Sequence, residues 1–369
     1  MTHCLSVYLS VYSACLSINL KLTPHRSRPL IRDLAIDLGT ANTLVYARGE
    51  DIIYNEPSVI AFETNSDKVL AVGDEAWHMI GRTASHIQAH RPLRNGAITD
   101  YNVTQQMILL VLKQIGVNRF NRPKALICIP SALSPVERQA VIEASHQAGV
   151  VETQLIDQPL AAAFGTHLVQ DNSRGNMIVD IGGGTSESAL ISIGKVMHSS
   201  AVRIGSFDFD TEIQTYIRRK FNFAIGERTA EDIKIIGGTA MEMDQDLPIE
   251  VRGRDIDTGL PQTFILKASD IREAIEQPLN DIITSVYDCL TVIGNEFDNE
   301  FAEDLVENGI HLAGGGSLLR GLDRRIYNRT QIPVKHVEKP LECVVRGAGL
   351  YLESSSSRRI FSKGSKRSS

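Results

Sequence analysis

LAIDLGTANT (residues 34–43) and MIVDIGGGTS (residues 177–186) are the two stretches on which the fold turns. Each is a short apolar strand ending in Asp, a turn of small residues, and then a second apolar strand, TLVYA (43–47) in one case and SALISI (188–193) in the other. A strand, a tight turn and a strand predict a β-hairpin rather than a strand feeding a helix. Laid over one another, the stretches superpose Asp37 on Asp180 and Gly39 on Gly182 at a constant offset of 143 residues. A repeat at that distance predicts two domains of related design, not a solenoid with a period of 20–50 residues. Turns without bulky side chains let backbone N–H groups approach a phosphate. Gly39, Thr40, Ala41 and Asn42 are candidates for one such cradle, and Gly182, Gly183, Gly184 and Thr185 for the other. Asp37 and Asp180 would then hold Mg²⁺, in part through water, because Mg²⁺ keeps much of its hydration shell. A single Asp-Leu-Gly reads equally well as a strand and its turn. Two copies in matched positions are harder to explain without a ligand.

Between and after the hairpins, helical and strand patterns alternate. Residues 103–115 predict a helix, and ALICIP (125–130) a buried strand. SPVERQAVIEASHQAG (134–149) predicts a helix with Ser134 as N-cap, Pro135 at the first position, Glu137 completing a capping box and Gly149 as the stop. Residues 155–157 predict a strand, with a helix opening at Pro159. Helices are expected over 210–222, 229–236 and 270–293, the last despite Pro278, and a small antiparallel pair over 249–266. GIHLAGGGSLLRGLDRRI (309–326) reads as strand, glycine turn and helix. The class is therefore α/β. No GxxxxGK[ST] occurs, which excludes a P-loop, and Leu319 stands where a dinucleotide fingerprint needs its third glycine. The Gly314–Gly316 turn is either a tight strand–helix connection or a set of amides facing a polar ligand.

Bulk properties bound the rest. A length of 369 residues suits two domains, and 43% hydrophobic with 22% charged residues is ordinary for a globular protein. A net charge of −6 argues against a nucleic-acid coat. Five scattered cysteines, with no CxxC spacing, predict neither a disulfide framework nor a zinc site and suit a reducing cytoplasm. There is no uninterrupted apolar stretch of about 20 residues, so no ordinary spanning helix is expected. Residues 4–20 are apolar with a serine stripe, and Lys21, Arg26 and Arg28 follow them rather than precede them. That segment reads either as an interfacial membrane helix or as a disordered extension. Residues 354–369 carry Arg358, Arg359, Lys363, Lys366 and Arg367 and no acid, which predicts a solvated basic tail.

DLGTANT (37–43), NEPSV (55–59), VERQA (136–140), DIGGGTSES (180–188), VRIG (202–205), TAEDIK (229–234), EVRGR (250–254) and AGGGSLLRGLD (313–323) resemble segments of the MreB family, in that family's order. The resemblance runs from about residue 33 to about residue 352. It implies an actin-like, ribonuclease H-like fold: a two-domain ATPase with duplicated mixed sheets around a nucleotide cleft. Residues 31–172 plus 335–353 would form the first domain and 173–334 the second, with 1–30 and 354–369 as tails. The two hairpins would be the phosphate loops, and Gly314, Gly315, Gly316, Ser317 and Leu318 the adenosine motif. Glu231 and Lys234 would lie against the ribose and adenine, whereas read alone they are a solvated ion pair. The family's Glu-Glu-Pro is Asp157-Gln158-Pro159 here. Gln158 can orient the attacking water, aided by Thr185 or Ser186, but cannot take its proton, so hydrolysis is expected to be retained and slowed. The resemblance further implies ATP and Mg²⁺ as cofactors, and homopolymer filaments that guide cell-wall synthesis and maintain rod shape. It also implies partners in the cell-wall elongation complex and a location at the inner face of the cytoplasmic membrane. Lipid contact would come through GVNRFNRP (116–123), with Val117 and Phe120 inserting; alternatively Phe120 caps the core beside strand 125–130. A small-molecule kinase of the same superfamily and a paralogue that binds ATP with little hydrolysis are the alternative functions.

Overall fold

The computed structural model describes residues 33–64, 68–82, 87–98, 100–166, 168, 174–293 and 297–354. The expectations for residues 1–30 and for the tail beyond Ser354 fall outside them.

Two five-stranded sheets of the same topology organise the chain. In the first, Asp33–Leu38 pairs antiparallel with Asn42–Ala47, which pairs antiparallel with Asp51–Pro57. On its other side Asp33–Leu38 runs parallel to Lys124–Ile129, itself parallel to Glu152–Asp157. The second sheet repeats this with Asn176–Ile181 at its centre, the antiparallel strands Ser186–Ser192 and Lys195–Val202 on one side, and the parallel strands Ile310–Ala313 and Val334–His336 on the other. Register follows as well. Asp37 faces Leu44 and Leu38 faces Thr43; Asp180 faces Glu187 and Ile181 faces Ser186. Each central strand is almost wholly buried because it is covered on both faces, so it reads as a continuous apolar run broken only by its Asp.

Helices cover these sheets. Tyr101–Gln114 and Pro135–Gln147 lie on the first, and Ser134 and Glu137 form the capping box expected of the second of them. Gln158–Gly165 begins one residue before Pro159, which leaves Pro159 within the first turn, where its missing N–H costs nothing. Ser206–Phe221 begins four residues ahead of expectation, and Ala268–Thr291 accommodates the buried Pro278. The closing helix Cys343–Glu353 returns to pack on the helix Gln158–Gly165. Gly347 abuts the carbonyl of Ala161, a separation that admits no Cβ. The antiparallel pair Pro248–Asp255 and Pro261–Lys267 is present and gains a third strand, Phe223–Ala224. A second small sheet, Lys68–Val72, Ile60–Glu63 and Ile87–His90, was not anticipated.

One core cluster lies beneath each large sheet, the first around Ile36, Met107 and Ile127 and the second around Val179, Phe209 and Leu279. A third joins them through small residues: Ala35, Ala161, Ala162, Ala189, Ala313 and Ala348. Alanine at the joint lets the helix Gln158–Gly165 approach both sheets at once, so Gln158 stands where the two halves meet. Cys128, Cys289 and Cys343 are buried and free.

Candidate functional site

The ends of the two central strands come together. Asp37 and Asp180 are both buried, at 8% and 6% exposure. Burial pushes the Asp37 carboxyl up to about 6, although Gln158 Nε2 donates to its Oδ1 at 3.1 Å. Burial pushes Asp180 further, to about 8, reinforced by the charges of Glu187 and Asp37. Cys128, beside Asp37 on the neighbouring parallel strand, has its thiol raised by burial and by both aspartates. Two buried carboxyls near enough for the Asp37 charge to raise Asp180 form a donor set that suits a divalent ion. No group of three or more potential ligating side chains occurs among the described residues. An ion there would therefore complete its shell with water and phosphate oxygens, as Mg²⁺ commonly does.

The turns beyond these aspartates touch. A Cβ on Gly183 would fall 2.9 Å from Ala41 Cβ, and one on Gly184 would fall 2.8 Å from Asn95 N and 2.9 Å from Thr40 Oγ1. Only glycine permits such an approach. Thr40 Oγ1 accepts from Gly96 N at 3.3 Å, Ser58 Oγ donates to Gly39 O at 2.6 Å, and Gly182 N donates to Thr185 O at 2.8 Å. Asn42 is exposed and donates to Asn55 Oδ1 at 3.2 Å. Gly314, in the left-handed region at φ 79°, abuts the Asp180 carboxylate, so the third glycine motif joins the same site. Gly315–Leu318 is a 3₁₀ turn, and the α-helix starts only at Leu322, after the left-handed Gly321. The strand, glycine turn and helix expected over 309–326 are thus present, with the turn tightened and fixed by Ser317 Oγ donating to Gly314 O at 2.7 Å. Leu318 is largely exposed, 44%.

Lys234 has a different partner from the one its spacing suggested. Its Nζ donates to Asp210 Oδ2 at 2.8 Å and to Ser206 O at 3.0 Å, which replaces the solvated pair with Glu231 by a buried one across two helices. Burial lifts the Asp210 carboxyl to about 7, and Lys234 offsets this only in part. Glu231 is half-buried on the same helix. Ser186 is buried and donates to Ile204 O at 2.8 Å, so its proton ties strand to loop. The hydroxyl to consider for water is therefore that of Thr185. Val117 and Phe120 part company: Val117 packs against the first core, whereas Phe120 is 80% exposed with Arg119 over its ring at 4.6 Å. Phe120 as a cap on the core is accordingly ruled out.

Sequence reading overlooked Glu187. Its Oε2 accepts from Ser131 N at 3.0 Å and Ser131 Oγ at 2.6 Å, a bridge from the second hairpin to the end of a first-sheet strand. Burial pushes it to about 7, with the Ser131 bonds pulling the other way. Its signal was available, because the repeat places the apolar Leu44 at the equivalent position. Arg138 extends the bridge, donating to Ser131 O at 3.1 Å and to Asp157 Oδ1 at 2.8 Å, next to Gln158.

Comparison with known proteins agrees with this fold. A family model described as MreB/Mbl protein matches residues 31–359. The cell shape-determining protein MreB of Escherichia coli (strain K12) is 45% identical over 327 residues, covering 87% of this chain and 93% of that one. The cell shape-determining protein Mbl of Bacillus subtilis (strain 168) is 40% identical over 323 residues, covering 87% and 96%. The crystal structure of MreB5 of Spiroplasma citri bound to ADP superposes with a TM-score of 0.82 at 31% identity, covering 90% of this chain and 99% of that one. The same protein bound to AMPPNP gives 0.82 at 30%. With an actin-like fold and relatives matched over nearly their whole length, this chain belongs to the MreB/Mbl family.

Proposed function

We propose that this chain is an ATP-dependent, self-assembling cytoskeletal ATPase of cell-shape control. The observation that carries the reading is the meeting of two register-matched Asp hairpins, with Gly183 against Ala41 and Gly314 against Asp180. The nucleotide-bound MreB5 structures and the cell-shape relatives support it. Membership of the family sets the small-molecule kinase aside.

In this reading the turns 39–42 and 182–185 cradle the phosphates with backbone N–H groups, while Gly314–Leu318, Glu231 and Lys234 surround the adenosine. Asp37 and Asp180 would hold Mg²⁺, which would supply positive charge against the phosphate oxygens. Gln158 spends an amide proton on Asp37 and keeps its carbonyl oxygen for the attacking water, which the Thr185 hydroxyl would help to hold. Residues 31–172 with 335–353, and 173–334, act as the two domains that close on the ligand. Phe120, exposed beside Arg119, is the membrane contact of the first domain, at the cytoplasmic face of the inner membrane. Filaments of the chain would there engage the cell-wall elongation machinery. A paralogue with little hydrolysis is the second reading, and Gln158 is what favours it.

ATP-dependent pelleting on ultracentrifugation, with phosphate release from the same sample, tests both readings. ATP-dependent pellets with phosphate release support the first; pellets without release support the second; no ATP-dependent pellet removes the filament. Gln158→Glu should raise turnover by about 10-fold or more, since a general base is typically worth about 10²–10⁴. Because it also loses the donor to Asp37, it should be assayed at saturating Mg²⁺; unchanged turnover there sinks the role of Gln158. Flotation of Phe120→Ser with liposomes of anionic lipid, in a chain lacking residues 1–30, should lose binding. Undiminished flotation rules that loop out.

A further inference from the structure

Arg91 has no part in the site described so far, yet it touches both sides of the cleft. It follows the strand Ile87–His90, and its side chain is 11% exposed. The guanidinium lies over the Trp77 ring, 4.9 Å from the centroid, and over the Phe207 ring at 4.2 Å. A guanidinium N–H (Nη1) donates to Ala41 O at 3.2 Å, and Nε donates to Glu227 Oε1 at 3.2 Å. Trp77 and Ala41 belong to the first half of the molecule, Phe207 and Glu227 to the second. A flat cation with several fixed donors can serve two rings and two acceptors at once, which a lysine cannot.

Two of these partners lead directly to the phosphate turns. Ala41 is part of the first. Phe207 N donates to Gly183 O at 2.9 Å, and a Cβ on Gly183 would lie 3.1 Å from the Phe207 ring and 2.9 Å from Ala41 Cβ. The guanidinium therefore stands at the seam where the two turns meet. Parting the halves would pull Phe207 and Glu227 away from Trp77 and Ala41, and Arg91 would have to abandon one pair. The ion pair alone is a weak tie, because the Glu227 side chain is 43% exposed. Stacking between two rings at a desolvated position is the stronger one.

We propose that Arg91 is a positioning residue that pins the two phosphate turns together behind a bound nucleotide and so sets how fast the nucleotide leaves. This rests on the ATP reading above. The test is stopped-flow release of N-methylanthraniloyl-ATP with Mg²⁺, chased by unlabelled ATP, on the full chain. Arg91→Ala should release about 10- to 100-fold faster while association changes by less than about 3-fold, since such contacts act mainly on dissociation. Arg91→Lys keeps the charge and should fall nearer to Ala than to the natural chain. Phe207→Leu, which leaves the arginine in place and removes one ring, should speed release by about 3- to 10-fold. Circular dichroism melts check that each variant is folded. Trp77, the only tryptophan in the chain, gives a second readout: nucleotide should change its emission, and Arg91→Ala should abolish that change. Unchanged release in both Arg91→Ala and Phe207→Leu, from a natural chain that binds the probe, overturns the pin alone. A natural chain that fails to bind the probe overturns the nucleotide reading and the pin with it.

Discussion

The two hairpins share strand order, turn position and register, yet they do not carry the same chemistry. The first holds one glycine, faces Asp37 with an apolar Leu44, and lends Asp37 an amide donor from Gln158. The second holds three glycines, faces Asp180 with Glu187, and shows no side-chain donor to Asp180 among the described residues. Duplication explains why the halves can face each other. Divergence explains what each does: the first hairpin is coupled to the residue that would orient water, and the second gathers two buried carboxyls and is tied to the first half by the hydrogen bonds between Glu187 and Ser131.

The largest test of that asymmetry is to remove each carboxylate in turn. Asp180→Asn should lower Mg²⁺-dependent phosphate release by about 10²–10³, the typical loss on removing one preorganised electrostatic group. Asp37→Asn should cost no more than that. In the ligand-free chain the carboxyl whose loss costs most activity is also the one whose loss relieves most strain. Folded values of about 6 for Asp37, about 8 for Asp180 and about 7 for Glu187 all exceed their ordinary values of 3.8, 3.8 and 4.5. These three groups therefore hold more protons in the folded chain than in the unfolded one between about pH 4 and pH 8, and their contribution to stability falls as pH rises through that window. Asp180→Asn should flatten the dependence more than Asp37→Asn. Denaturant melts across that range in the absence of nucleotide and metal would show it, and equal flattening would erase the distinction between the hairpins.

What the sequence made legible was local. Asp, glycine and short apolar runs announced both hairpins, and the constant offset announced their kinship, because turn chemistry needs only neighbours. The capping box at Ser134 and the long helix through Pro278 were legible for the same reason. Gln158 lies 121 residues from Asp37, and no spacing rule links them; only the resemblance did. The Asp210–Lys234 pair and the four partners of Arg91 depend on how separate elements pack, which periodicity does not encode. The small sheet around Ile60–Glu63 was missed because its strands are only four or five residues long. Glu187 is the instructive omission, since a polar residue opposite Asp180, where the repeat has leucine, was readable from the alignment alone.

The smallest predicted effect compares one contact in its two copies. Gly39 and Gly182 are equivalent positions, and a Cβ on either would meet the carbonyl oxygen three residues on. In the first hairpin the distance to Asn42 O would be 2.7 Å, and in the second the distance to Thr185 O would be 3.3 Å. The first is too close for any real Cβ unless the backbone moves, and Ser58 resists such movement by donating to Gly39 O at 2.6 Å while its N donates to Ala41 O at 2.8 Å. The second needs a shift of only a few tenths of an ångström. Gly39→Ala should therefore destabilise the ligand-free chain by about 1–3 kcal/mol, as overpacking of a fixed site does. Gly182→Ala should cost less than about 1 kcal/mol. Urea unfolding of the two variants side by side would decide it. If Gly182→Ala were the worse of the two, the second turn would have to be the more rigid, and the clamp formed by Ser58 could not be what separates the hairpins.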